Sequence, residues 1–433
     1  MRTLMKQKRQ AIISIIACRF YFGEGEDPAA FQDFKLYNRT PLFYNGEKWE
    51  RKAGMKKFVL VPDSFKGTMT STEICELMER AIRRHFPEAQ IISIPVADGG
   101  EGSVDCFLAA MGGEKISINV KGPYFKEMTG FYGKIGKDTA VIEMAACAGL
   151  PLVGDRKNPA KTTTYGVGQL LCHAVQRGCR KIIVGLGGSA TNDGGCGAAA
   201  AAGVRFYNKE GVSFVPVGET LGDIAHIDIS AAKKLFSGVE IVTMCDIDNP
   251  LCGTTGAAAV FGPQKGADTE MVFRLDLGLA HLGKIILRDL GKDIVELPGA
   301  GAAGGMGGGM AAFFDARLQM GIDTVLDTVN FDRQASGADL ILTGEGKIDG
   351  QSLRGKVVIG TAKRAQTLGI PLVAIVGDIG DNLEEVYTQG VSGIFSINRI
   401  AAPFEKLKER SREDLYLTVD NLMGFLVQME EKR

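Results

Sequence analysis

Phe58-Val59-Leu60-Val61-Pro62-Asp63-Ser64-Phe65-Lys66-Gly67 decides the reading of this chain: a short apolar run breaks into a polar, glycine-ended loop. Thr70-x-x-Glu73 follows as a capping box, opening a helix whose Ile74, Leu77, Met78, Ala81 and Ile82 recur with a 3.6 period. The unit then repeats. Ile91–Val96 runs into Ala97-Asp98-Gly99-Gly100-Glu101-Gly102, with a second helix from Ser103. Strand–helix alternation of this kind predicts a parallel sheet covered on both faces.

Working outward, the rhythm changes at Lys115–Leu150, where short strands with Gly122-Pro123 and Gly136-Lys137 turns predict antiparallel pairing. A helix over 165–177 leads to a strand at 181–186 and Gly187-Gly188-Ser189-Ala190-Thr191-Asn192-Asp193-Gly194-Gly195. A strand at 239–244 enters Cys245-Asp246-Ile247-Asp248, and 271–290 reads as an amphipathic helix. Gly299–Gly309 reads as a glycine loop ahead of a helix near Met310. Alternation resumes with 338–342 entering Thr343-Gly344-Glu345-Gly346-Lys347-Ile348-Asp349-Gly350-Gln351-Ser352, then 372–376, then a closing helix over 412–430. The expected architecture is α/β: a doubly wound, mostly parallel Rossmann-like domain (55–115 and 296–433) interrupted by a second, mixed α/β domain (116–295). The active site is expected in the cleft between them.

At 433 residues there is chain enough for two such domains. A net charge of −1 supplies no overall basic field for nucleic acid. Nine cysteines without a C-x-x-C pair predict reduced thiols in the cytoplasm rather than zinc or disulfides. No apolar run approaches the roughly 20 residues of a membrane span. Residues 1–18 imitate a short export signal, with Lys6, Lys8 and Arg9 ahead of Ala11–Ala17. The preferred reading makes 1–54 an extension outside the fold, with translation starting at Met55.

Several predicted strands end in loops that combine glycine with Asp, Glu, Ser or Lys. Glycines admit phosphate oxygens to backbone N–H groups, and a following helix N-terminus adds positive charge. Carboxylates beside a polyanion require a bridging cation, which points to Mg²⁺. With Lys66 and Lys356, these loops indicate phosphoryl transfer. Gly299-x-Gly301-x-x-Gly304 mimics a dinucleotide fingerprint, which would make the chain an oxidoreductase, but no first βαβ unit carries it. Gly350-x4-Gly355-Lys356 misses a P-loop because Val357 replaces the required Ser or Thr. His173 and His281 fall on predicted helices and read as structural.

The strings 61–71 (VPDSFKGTMTS), 95–103 (PVADGGEGS), 185–195 (GLGGSATNDGG) and 342–352 (LTGEGKIDGQS), with the 299–309 loop, resemble bacterial glycerate kinases of the type-one family. The resemblance runs from Met55 to the closing helix. It implies ATP-dependent phosphorylation of (R)-glycerate, most often giving 2-phosphoglycerate, with 3-phosphoglycerate as the alternative. A non-catalytic sensor on the same scaffold is the remaining alternative. On that basis Asp193 is expected as proton acceptor and Lys66 as the cation at the phosphoryl or carboxylate group. Asp63, Ser64, Asp98, Glu101, Ser189 and Asn192 are expected around glycerate. Gly187, Gly188, Gly301, Gly304, Gly305, Glu345, Gln351, Ser352 and Lys356 are expected around the nucleotide, with Glu345 and Asp349 holding Mg²⁺. The partner is small-molecule glycerate, in a monomer or homodimer without nucleic acid or membrane.

Overall fold

A computed structural model describes residues 55–97, 99–350 and 356–431. The expected extension 1–54 and the site candidates Asp98, Gln351 and Ser352 lie outside the described residues. From residue 55 onward the described chain belongs to one compact unit.

Its frame is two sheets. The first takes strands β1 (Lys57–Pro62) and β2 (Gln90–Ser93) from the start of the chain, and its three remaining strands come from the end. The second takes β3 (Glu114–Lys121), β4 (Glu127–Ile135), β5 (Thr139–Glu143), β6 (Lys181–Gly185), β7 (Glu240–Met244) and β8 (Arg317–Gln319). The late strands of the first sheet are β9 (Leu340–Gly344), β10 (Leu372–Val376) and β11 (Val391–Ser396). The first sheet has the order β11-β10-β9-β1-β2 and is parallel throughout. The second has the order β8-β7-β6-β5-β4-β3, with β8 to β5 parallel and β4 and β3 antiparallel, where turn-rich alternation predicted such pairing. The fold is therefore mixed α/β with mostly parallel sheets.

Helix α1 (Ser71–His85) is capped as the sequence requires: the Glu73 N–H donates to Thr70 Oγ1 at 3.2 Å and the Thr70 N–H to Glu73 Oε2 at 2.8 Å. Its buried Ile74, Met78 and Ile82 pack with Phe58 and Leu60 of β1 and with Leu415 and Val419 of the last helix. Each such side chain is worth about 1.5–3 kcal/mol when fully buried. The next helix, α2 (Ser103–Met111), lies where the two sheets share a core. Val104 and Phe107 join Val59 and Val61 of the first sheet to Val141, Ile183 and Met244 of the second. That shared cluster fixes the loop ahead of α2 against strand ends of both sheets.

Further on come α3 (Tyr165–Gln176), α4 (Cys196–Ala201) and the long α5 (Thr269–Leu290). Helix α6 (Ala302–Phe314) replaces most of the loop expected over 299–309. It is kinked at Ala303, Gly304 and Gly305, all at positive φ. Helices α7 (Val357–Thr367) and α8 (Phe404–Glu431) complete the chain, α8 starting well before the expected residue 412. Among the described residues no helix is long and apolar enough to cross a membrane.

Candidate active site

The strand-end loops touch one another through their backbones. In the first loop the Asp63 N–H donates to the Gly344 carbonyl at 2.8 Å, joining β1's exit to β9's. Phe65 and Met69 exchange backbone hydrogen bonds at 2.9 and 3.0 Å, closing a tight bend that leaves Lys66 exposed at its tip. The second loop joins the first where the Val96 N–H reaches the Pro62 carbonyl at 3.0 Å. The third joins the second where the Gly187 N–H reaches the Gly99 carbonyl at 3.0 Å. A Cβ on Gly187 would sit 2.5 Å from the Gly100 Cα, so only glycine permits this crossing. The sequence-selected loops at 63–67, 99–102, 186–195 and 344–350 thus form one continuous edge.

Asp193 lies under this edge, fully buried. Its Oδ2 accepts from the Thr164 N–H at 2.7 Å, Thr164 Oγ1 at 2.9 Å and the Gly197 N–H at 3.2 Å, and its Oδ1 from the Gly195 N–H at 3.1 Å. The carboxylate therefore ties the start of α3 to the start of α4, where unpaired N–H groups favour an anion. Burial pushes its pKa up, and the Thr164, Gly195 and Gly197 donors hold it back. Next to it Asn192 is also fully buried, and among the described residues neither its amide oxygen nor its amide nitrogen has a hydrogen-bond partner. A buried amide left so is costly unless a ligand or water engages it.

Gly301, Gly304 and Gly305, expected around the nucleotide, lie in close contact with protein on the side a Cβ would occupy. A Cβ on Gly304 would stand 2.0 Å from the Thr191 carbonyl, one on Gly301 2.3 Å from the Pro250 carbonyl, and one on Gly305 2.8 Å from Leu279. The kink in α6 is what lets that helix lie on the 191–195 loop, with the Gly194 N–H donating to the Gly304 carbonyl at 3.0 Å. Close packing against backbone, and for Gly305 against Leu279 as well, accounts for glycine at these positions.

Two cavities open nearby. One of about 370 Å³ is walled by Gly187, Gly188 and Ser189, by Asp246 after β7, and by Ala302 and Ala303 of α6. Leu186, Ile247 and Phe261 give it an apolar side. The other, about 480 Å³, holds Lys66, Gly346, Asp378, Asn398 and Lys408. Asp63, Glu101, Asp193 and Glu345 line neither of these two cavities. Lys66 and Ser189, both site candidates, are divided between them. Glu345 is buried at the end of β9, and Asp349 lies 3.5 Å from the Lys347 ammonium. Lys356 stands just ahead of α7. His173 meets Tyr132 at 3.1 Å and His281 meets the Ile224 carbonyl at 2.7 Å, so both have structural partners.

The sequence reading missed Lys265. It sits in a one-turn 3₁₀ segment, Pro263–Lys265, bracketed by Gly262 and Gly266, a setting that reads as a solvated turn lysine. In the fold it is 3% exposed and lines the smaller cavity. Its ammonium donates to Ser189 Oγ at 2.7 Å and to the Thr191 carbonyl at 2.8 Å. Burial pushes its pKa down to about 7, and the nearby Asp193 charge resists that fall. Glu143, at the end of β5, is a second buried charge outside the expected set. It accepts from the Val104 N–H at 3.1 Å at the start of α2, and burial raises its pKa.

Comparison with known proteins identifies the family. The model of the Glycerate kinase family matches residues 58–427. A Bacillus cereus protein named glycerate kinase is 45% identical over 368 residues, 84% of this chain and 97% of its own length. An Escherichia coli protein named glycerate 2-kinase is 40% identical over 343 residues, 79% of this chain and 90% of its own. A crystal structure assigned as glycerate kinase 2 of Salmonella typhimurium LT2 superposes with a TM-score of 0.79 at 39% identity, covering 87% of this chain and all of that one. This chain belongs to the glycerate kinase family and is an ATP-dependent kinase.

Proposed function

We propose that the protein transfers the γ-phosphoryl group of ATP to the 2-hydroxyl of (R)-glycerate, giving 2-phosphoglycerate and ADP. The hydroxyl oxygen forms the new P–O bond, the bond from the γ-phosphorus to the β,γ-bridging oxygen breaks, and the hydroxyl proton passes to a carboxylate. The observation that carries this reading is the continuous edge of strand-end loops, in a chain whose family is established. The name of the Escherichia coli relative, glycerate 2-kinase, supports the 2-phosphate.

In this reading the 370 Å³ cavity takes the nucleotide, with the Gly188 backbone and Ser189 offering donors to phosphate and the Leu186–Phe261 side accepting the base. Lys66, exposed at the first loop's tip, supplies positive charge to the transferred group. In the same reading Asn192, whose buried amide has no partner among the described residues, gives that amide to glycerate. Asp193 acts as a positioning residue, fixing Asn192 and the loop from beneath.

Among the described residues no group of three or more His, Cys, Asp or Glu side chains encloses a metal. Mg²⁺ in kinases uses one or two carboxylates and completes its shell with phosphate and water. Glu345, a buried carboxylate at a strand end, fits that demand, with Asp349 as the second candidate. Bound Mg²⁺ would neutralise charge on the phosphates.

We also place the protein in the cytoplasm, a reading supported by the eight described cysteines, all free thiols. Incubation with Mg-ATP and (R)-glycerate, followed by ³¹P NMR, tests the reaction. A phosphorus signal split into a doublet by the single proton on C2 is expected. A triplet would overturn the 2-phosphate, and no glycerate-dependent ADP would overturn the reaction itself.

A further inference from the structure

We propose that Lys265 grips a phosphate oxygen of the nucleotide, serving as the principal cation of the cavity it lines. The inference rests on the kinase reading above and extends it to a residue that no motif of the chain singles out.

Three observations converge on it. First, both partners of the ammonium, Ser189 Oγ and the Thr191 carbonyl, are neutral, and no ion pair to Lys265 exists among the described residues. An ammonium has three donors, so one remains for a ligand. Second, the side chain is 3% exposed and lines a 370 Å³ cavity shared with the backbone of Gly187 and Gly188. An ammonium taken out of water without a paired anion is costly, and such groups are kept where an anion is to be bound.

Third, the turn that presents Lys265 is constrained. Gly266 has φ +96°, and a Cβ there would lie 2.6 Å from the Lys157 Cβ. The Lys265 N–H donates to the Gly262 carbonyl at 3.0 Å, closing the turn. The backbone is thus fixed with the ammonium already placed, and little entropy is lost when phosphate arrives.

A nucleotide fits better here than glycerate. The cavity lies within the size range of sites for drug-sized ligands, and its apolar side suits a base rather than a three-carbon acid. Titration supports the geometry. With its pKa near 7, Lys265 is largely uncharged at pH 8, and a phosphate beside it would draw a proton back. Titratable groups near it include Asp193 beneath the loop, Asp246 and Cys245 on the cavity wall, and Lys157 against the Gly266 turn.

The test uses full-length wild type, Lys265→Met and Lys265→Arg, with MgADP titrated calorimetrically and kinetics measured with each substrate. Lys265→Met should weaken MgADP binding and raise KM for ATP by roughly 10- to 100-fold. KM for glycerate should stay within about twofold, and Lys265→Arg should recover most of the loss. Unchanged MgADP affinity, or a rise confined to KM for glycerate, overturns the proposal. If Lys265→Met fails to fold, Lys265→Gln, which keeps polar donors without the ammonium, takes its place: it should weaken MgADP binding by roughly tenfold or more, and unchanged affinity overturns the proposal. Wild type that binds MgADP through Lys265 but leaves glycerate unphosphorylated would refute the substrate and leave this site standing.

Discussion

Replacing Asp193 by asparagine separates a carboxylate that takes a proton from one that holds a loop. Five donors point at it: Thr164 N–H, Thr164 Oγ1 and Gly197 N–H reach Oδ2, with Thr163 Oγ1 more distant at 3.5 Å, and Gly195 N–H reaches Oδ1. An asparagine can keep its oxygen towards the first three only by turning its NH₂ onto the Gly195 N–H. One charge-assisted bond is lost, worth about 1.5–3 kcal/mol, and a buried donor is stranded at a further ~1–3 kcal/mol. A loss of about 4 kcal/mol follows. Unfolding entropy is roughly 2.1 cal/mol/K per residue, so over the residues from 55 to 433 the melting midpoint should fall by about 5 °C. Asn192 and Ser189 would shift with the loop, and a misplacement of ~1 Å costs on the order of 100-fold in turnover. Thermal denaturation beside a coupled ADP assay reads both quantities. A variant melting within about 1 °C of wild type, yet slowed more than a thousandfold, would make Asp193 the proton acceptor and refute the positioning role.

Lys66→Met should lower kcat by roughly 100- to 1,000-fold with the melting midpoint unchanged, because the side chain is exposed and carries no core packing; a loss under threefold would remove Lys66 from the site. Gly304→Ala should fail to fold or melt far below wild type, its Cβ falling 2.0 Å from the Thr191 carbonyl at a φ of +69°; a melting point near wild type would show that the 191–195 contact yields. Lys265 has its pKa lowered to about 7, so it is charged below that pH and neutral above it. KM for ATP should therefore rise with pH above about 7, up to tenfold per unit, and Lys265→Arg should flatten the profile; a flat wild-type profile would argue against the shift. Removing residues 1–54 should leave activity within about twofold, since the family match begins at residue 58, and a large loss would give that segment a role.

What was legible in the chain follows the range of the forces involved. The capping box at Thr70 and Glu73, the 3.6 period of α1 and the strand ending at Val376 are local, and the structure has them where the residues indicated. Helix α6 was hidden because glycine is a poor helix former, and the run at 299–309 reads as loop on propensity alone. Its glycines answer a demand from far along the chain, the close approach of the 191–195 backbone, and no window of sequence around residue 304 contains that neighbour. The start of α8 at Phe404 was missed for a related reason: Pro403 opens the helix by accepting from the Lys406 N–H at 3.0 Å, in a stretch with weak apolar periodicity.

The site divides along the same line. Residue types that suit phosphate and glycerate were visible at the strand ends, and the loops carrying them do adjoin. Depth was not visible. Asp193 and Lys66 read alike as polar loop residues, yet one is fully buried beneath helix N-termini and the other is exposed. Lys265 inverts the error, since a lysine between two glycines looks solvated and is instead 3% exposed. Charge placed at depth is costly, and a protein retains it where structure or ligand repays that cost. Asp193 is repaid by five donors from its own fold. Lys265 has two neutral partners and one donor unspent, the place that an anion entering the cavity takes in the proposal above.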